Sequence, residues 1–144
     1  MAIGTRTDPY LGCRFLVEIE GLVVGGFSEL TGLQVEVGTE DYEEGGVNDY
    51  IHKLPKGTRH PNLILKHGMT DGDTLWRWHQ QMVRGRAPRR TVRVILLDER
   101  GTEKIAWRCL KACPLKWEGP DFRADLASLA IESLELAHCG IERM

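Results

Sequence analysis

The sequence predicts a mainly β fold, an antiparallel β-sandwich or partly open barrel with one α-helix packed against it. Runs in which apolar and polar residues alternate recur along the chain, and glycines separate them. Only one stretch spaces its apolar residues as a helix does. The length of 144 residues fits one domain, residues 1–144, whose core needs neither a disulfide nor a metal ion. We therefore expect about six or seven strands in a single domain.

The first strands are predicted near the N-terminus. Apolar residues alternate with polar ones from Phe15 to Ile19, and Gly21 ends this run. After Gly25 and Gly26, the stretch 27–33 leads into a second alternating run, in which Leu33, Val35 and Val37 share one face. Both runs are typical of strands with one buried face.

Residues 38–62 show neither a strand period nor a helix period, so we predict a long loop without regular structure. Its early half carries Asp41, Glu43 and Glu44, and its late half carries basic residues. The acids could bind a cation weakly, but the basic residues of a neighbouring copy are the better partner, because the two halves are complementary in charge. A merely flexible surface loop is the alternative.

One helix is predicted, from about Asp73 to Arg84. Leu75, Trp78 and Met82 recur at three- and four-residue spacing, and Asp73 is a candidate N-cap. Trp76 and Trp78 point about 200° apart on such a helix, so one should lie in the core and the other at a margin or interface. A short strand, 63–65, precedes this helix and stops at Gly68.

The C-terminal half returns to strands. Residues 91–97 and 104–113 flank a turn at 98–101 and so predict a hairpin. Residues 114–119 then lead into a polar connector. The last strand, 127–137, has apolar residues on both faces, which predicts a place inside a sheet covered on both sides. The edges of such an antiparallel sheet invite pairing with other chains, and a closed ring of copies would satisfy them.

The sequence offers no catalytic, cofactor or metal site. The chain has four cysteines, but Cys109 and Cys113 lie in one predicted strand about 13 Å apart, too far for a disulfide. They also lack the second close-spaced pair of ligands that a structural zinc site needs. No nucleophile, base and orienting group can be nominated together. We predict buried or half-buried free thiols, scattered surface or core-edge histidines and no enzymatic activity.

Composition narrows the function classes further. A net charge of -2 gives no excess of positive charge for phosphate backbones. The N-terminus lacks an apolar signal region, and no stretch approaches the ~20 apolar residues that span a bilayer. We expect a subunit that binds no membrane by itself and is kept in the cytoplasm until it assembles.

The motifs, taken in order, resemble the tail tube protein family of contractile phages, including the inner-tube proteins of extracellular contractile injection systems. The resemblance covers nearly the whole chain. Its motifs are Phe15–Ile19, Gly26–Glu29, Thr31–Leu33, Tyr42–Asn48, Lys53–Pro55, Leu65–Gly68, the helix with Trp78, Arg93–Asp98, Trp107, Pro114 with Lys116, Gly119–Pro120 and Glu132–Gly140.

The resemblance implies a structural subunit of hexameric rings whose sheets join around a central channel, with the rings stacked into a tube inside a contractile sheath. Implied partners are copies of the chain itself, the sheath protein, baseplate and spike proteins, and a protein or DNA cargo in the channel. The family's long loop reaches the adjacent ring. The inter-ring assembly loop expected here comprises Tyr42, Glu43, Glu44, Gly45, Gly46, Asn48, Tyr50, Lys53, Leu54 and Pro55.

Two departures leave the subtype open. Lys56 interrupts the Leu-Pro-Gly order that the family leads us to expect, and Cys139 stands where an acid is common. The chain is therefore either the main tube protein or the related initiator or adaptor ring that links the baseplate spike to the tube. A small metal-binding or enzymatic domain is the last-ranked alternative.

Overall fold

The computed structural model describes residues 8–42, 52–86 and 88–144. These residues form nine strands and one helix. In chain order the elements are β1 (Phe15–Ile19), β2 (Phe27–Thr31), β3 (Glu36–Tyr42), β4 (His52–Arg59), β5 (Leu63–Gly68), α1 (Thr74–Val83), β6 (Arg90–Leu97), β7 (Glu103–Glu118), β8 (Ile131–Ala137) and β9 (Ile141–Arg143).

Seven strands form one antiparallel sheet in the order β1-β6-β7-β8-β5-β2, with β9 added alongside β7. The 16-residue strand β7 pairs with β6 and β9 through its first part and with β8 through its last part. The pairing with β6 shifts between these parts, near Lys111, which has a φ of 52°. The sheet is open within the described residues, because β1 and β2 do not pair with each other. The predicted mainly β, antiparallel fold is confirmed.

The core lies between the two parts of this sheet and under the helix. Val17 and Val92 come from one part, and Leu65 and Leu134 come from the other. Trp78 of α1 is 1% exposed, and its Nε1 donates a hydrogen bond to the carbonyl oxygen of Pro88 at 3.0 Å. Burying each such side chain contributes roughly 1.5–3 kcal/mol to folding.

The helix is confirmed, with one correction at its start. Asp73 occupies the N-cap position but makes no capping hydrogen bond; its Oδ1 pairs instead with Nε of Arg77 at 2.8 Å. Gly85 ends the helix with a φ of 73°, a conformation that glycine adopts without strain. Trp76 is exposed and packs edge-on against Trp117. As predicted, one tryptophan of the helix therefore lies in the core and the other at its margin. No helix of the described ranges is long and apolar enough to cross a membrane.

Strand β7 extends beyond its predicted end at Cys113. It continues through Pro114 to Glu118, and its pairing with β8 shifts just after the proline. Proline lacks the N–H that a regular ladder needs, which is why the sequence indicated a strand end there, but a bulge accommodates it. Cys109 and Cys113 both lie in β7 as free, buried thiols, as predicted, but the prediction of burial is wrong for Cys13 and Cys139, which are exposed.

The predicted last strand is wrong in its start and in its burial. Strand β8 begins at Ile131 rather than Ala127, and Leu129 before it is 86% exposed. Leu134 and Leu136 are buried, whereas Ser133 and Glu135 lie on the opposite face of the strand. The strand was predicted to start too early because the connector before it contains apolar residues, among them Leu129, that are exposed rather than buried. Val35 and Val37 are likewise exposed rather than buried.

Candidate assembly surface

The aperiodic segment is a β-hairpin in its described parts, not a loop without regular structure. Strands β3 and β4 pair antiparallel, with Glu36 opposite Arg59 and Tyr42 opposite His52. The prediction failed because an alternating pattern arises only where one face of a strand is buried. Here both faces are wet. From Glu36 to Asp41 and from Lys53 to Arg59, all side chains are exposed.

A β-bulge explains how the hairpin accommodates Lys56. Val37 pairs with Thr58 and Thr39 pairs with Pro55, so Gly38 alone faces both Lys56 and Gly57. Gly57 has a φ of 66°, the left-handed conformation that glycine tolerates. The residue that departs from the Leu-Pro-Gly order thus lies at the bulge.

The hairpin stands apart from the core. In the described residues, β3 and β4 make extensive contacts with each other but not with any other strand or with the helix. Within the described residues, β3 pairs only with β4, so the outer edge of each strand carries unpaired backbone groups. Leu54, at 48% exposure, adds an apolar side chain to this surface.

Of the predicted assembly residues, Lys53, Leu54 and Pro55 lie on β4, and Tyr42 is the last residue of β3. The others lie outside the described residues: Glu43, Glu44, Gly45, Gly46, Asn48 and Tyr50. The structure adds residues that the sequence did not single out, among them Glu36 and Arg59 at the base of the hairpin.

A row of charges crosses the outer face of the main sheet and was also missed. Glu18, Arg93, Arg108 and Glu142 stand opposite one another on β1, β6, β7 and β9. Arg93 donates to Glu18 and Arg108 donates to Glu142, each at 2.7 Å. The row places two exposed ion pairs side by side, and such pairs contribute little to stability.

A buried polar cluster joins the second part of the sheet to the segment before β2. His67 Nδ1 lies 3.0 Å from Glu132 Oε1, and its Nε2 lies 2.6 Å from the carbonyl oxygen of Gly25. The other carboxylate oxygen of Glu132 accepts a hydrogen bond from Trp117 Nε1 at 3.0 Å. These contacts fix β5, β7 and β8 and the segment before β2 to each other.

This cluster is not a metal site. Within the described residues, no group of three or more histidine, cysteine or acidic side chains could hold a metal ion. In the part of the chain that the structure describes, the main sheet is open at β1 and β2 and the hairpin is exposed and charged, and open strand edges can pair with other chains. The chain belongs to the family described as T4-like virus tail tube protein gp19, whose sequence profile matches residues 11–142.

Solved structures of contractile injection systems contain chains of the same fold. The chain matches one in the cryo-EM structure of the anti-feeding prophage tube-terminating cap with a TM-score of 0.88 and 23% identity, covering 100% of this chain and 99% of that one. A chain in the cryo-EM structure of the anti-feeding prophage baseplate matches with a TM-score of 0.85 and 23% identity, covering 96% of this chain and 97% of that one.

A chain of the sheath–tube complex of the PVC extracellular contractile injection system, in its extended state, matches with a TM-score of 0.84 and 22% identity over 94% of this chain and 91% of that chain. No curated protein sequence matches significantly. The resemblance inferred from the sequence motifs is therefore confirmed at the level of the family.

Proposed function

We propose that this chain is a structural subunit of the inner tube of a contractile phage tail or phage-tail-like injection system. It forms hexameric rings that stack around a central channel. The observation that carries the proposal is the family match, which spans nearly the whole chain. The open edges at β1 and β2 support it, because edges left open in the monomer can be paired between copies in a closed ring.

The role is mechanical rather than catalytic. The sheath protein surrounds the tube, baseplate and spike proteins meet its end, and a protein or DNA cargo occupies the channel. The subunit assembles in the cytoplasm and is then part of the phage tail or injection particle. The assembly segment, residues 42–55, is its contact with the adjacent ring, a role supported by the exposure of Lys53, Leu54 and Pro55 in β4.

An initiator or adaptor ring between spike and tube is the second candidate. It stays a candidate because chains in the baseplate and cap structures match about as well as the chain in the sheath–tube complex, with TM-scores of 0.85, 0.88 and 0.84. Fold similarity of this kind does not separate the two roles.

Electron microscopy of the purified protein tests both candidates. Stacked rings or tubes are expected of the tube subunit, and isolated rings of the initiator. A monomer that persists at high protein concentration would refute both. Deleting residues 43–56 removes part of β4 but should leave the main sheet folded, as thermal unfolding would show, and should abolish stacking; tubes of unchanged length in this variant would refute the role of this segment.

A further inference from the structure

The two strands of the hairpin carry opposite charges. In its described side chains, β3 contains Glu36, Glu40 and Asp41 and no basic residue. Strand β4 contains Lys53, Lys56 and Arg59 and no acidic residue. The hairpin therefore has one acidic long edge and one basic long edge, rather than a mixture of charges on each.

These six charges are available to a partner. All six side chains are exposed, and none of them forms an ion pair with another residue in the described parts of the chain. The backbone along the outer edge of each strand is also unpaired within those parts. An edge of this kind pairs readily with another strand when the side chains are complementary.

Rotational symmetry supplies the complementary strand. In a ring, all hairpins are related by the same rotation, so the outer edge of β3 in one subunit can face the outer edge of β4 in the next. Because β3 and β4 run antiparallel in each hairpin, β3 and the neighbour's β4 also run antiparallel. The arrangement repeats the pairing already present inside the hairpin.

We infer that neighbouring hairpins of one ring pair side by side, the acidic edge of β3 against the basic edge of the next subunit's β4, in a closed collar of alternating acidic and basic strands. The partner is a second copy of this chain. The inference rests on the proposed function, since it requires a ring, and it names the surface through which hairpins meet before they contact another ring.

Two charge-reversal variants test the collar. The first replaces Glu36, Glu40 and Asp41 with lysine and makes both edges basic. The second replaces Lys53, Lys56 and Arg59 with glutamate and makes both edges acidic. Each variant alone puts like charges at every contact, so the protein concentration needed for half-maximal ring formation should rise at least about tenfold in sedimentation velocity.

An equimolar mixture of the two variants separates contacts between subunits from contacts within a hairpin. If the two alternate around the ring, every contact again joins an acidic edge to a basic one. Ring formation should return to within about twofold of the wild type, and native mass spectrometry should show equal numbers of the two variants in each ring. Charges that act only within a hairpin give no rescue on mixing.

The controls fix what each outcome means. Glu99→Lys, Glu103→Lys and Asp121→Lys together make the same charge change outside the hairpin and should not gain from mixing with the acidic variant. Thermal unfolding should show that both hairpin variants remain folded. The collar is overturned if the variants form single rings as readily as the wild type, or if mixing fails to restore rings. The proposed function itself fails only if the wild type forms no rings.

Discussion

Replacing Glu132 should reveal how much the buried cluster contributes to stability. Its carboxylate is 3% exposed and accepts hydrogen bonds from His67 and Trp117, one on each oxygen. Glu132→Gln keeps one acceptor and leaves one buried donor unpaired, which costs about 1–3 kcal/mol. Glu132→Ala removes both acceptors and leaves two buried donors unpaired, which costs roughly twice as much. The predicted loss is thus graded with the number of acceptors removed.

Urea unfolding, followed by tryptophan fluorescence and circular dichroism at a protein concentration that keeps the chain monomeric, measures both losses. The matched control is Glu135→Gln, the same chemical change on the same strand but on its other face. It should change the free energy of unfolding by no more than about 0.5 kcal/mol. Equal losses for the two glutamine variants, or an alanine variant within about 1 kcal/mol of the wild type, would show that the cluster does not stabilise the fold as argued.

Three further predictions concern single groups. Burial raises the pKa of the Cys109 thiol to about 11, so two of the four cysteines should react with a thiol reagent at pH 8 in the native protein and all four in urea; a rapid third reaction would contradict the burial. Gly32 has a φ of 91°, and a Cβ there would overlap the carbonyl oxygen of Asn62, so Gly32→Ala should lower the free energy of unfolding by at least about 2 kcal/mol in urea titrations. The backbone N–H of Thr102 lowers the pKa of Asp98, so the stability that this carboxylate contributes is present at neutral pH and is lost as the pH falls below about 4. The difference in melting temperature between the wild type and Asp98→Ala should shrink over that range, and a constant difference would refute the assignment.

The elements found from the sequence are those with one buried face. Strand β5 alternates buried and half-buried residues along its whole length, and the same contrast makes β1 and β6 visible in the sequence. The helix has its buried pair, Leu75 and Trp78, at three-residue spacing. In each case, burial against the core imposes the period that the sequence displays.

The elements that were missed lack that constraint or depend on distant partners. Strands β3 and β4 lie away from the core, so their side chains show no period. The far half of β7 follows Pro114, which indicates a strand end in the absence of a bulge. His67 and Glu132 are 65 residues apart and meet only because β5 and β8 pair in a particular register. Register between distant strands is set by the folded sheet and cannot be seen in local patterns.

The long strand β7 makes the two parts of the main sheet mechanically continuous. Force applied to β6 reaches β8 through a single covalent strand and its two ladders of hydrogen bonds, with no flexible linker between them. The irregularity near Lys111 is held in place, because Cys109 and Ala112, both fully buried, are packed on either side of it. A subunit of this kind resists shear between its halves, so an assembly of such subunits transmits axial load with little internal deformation.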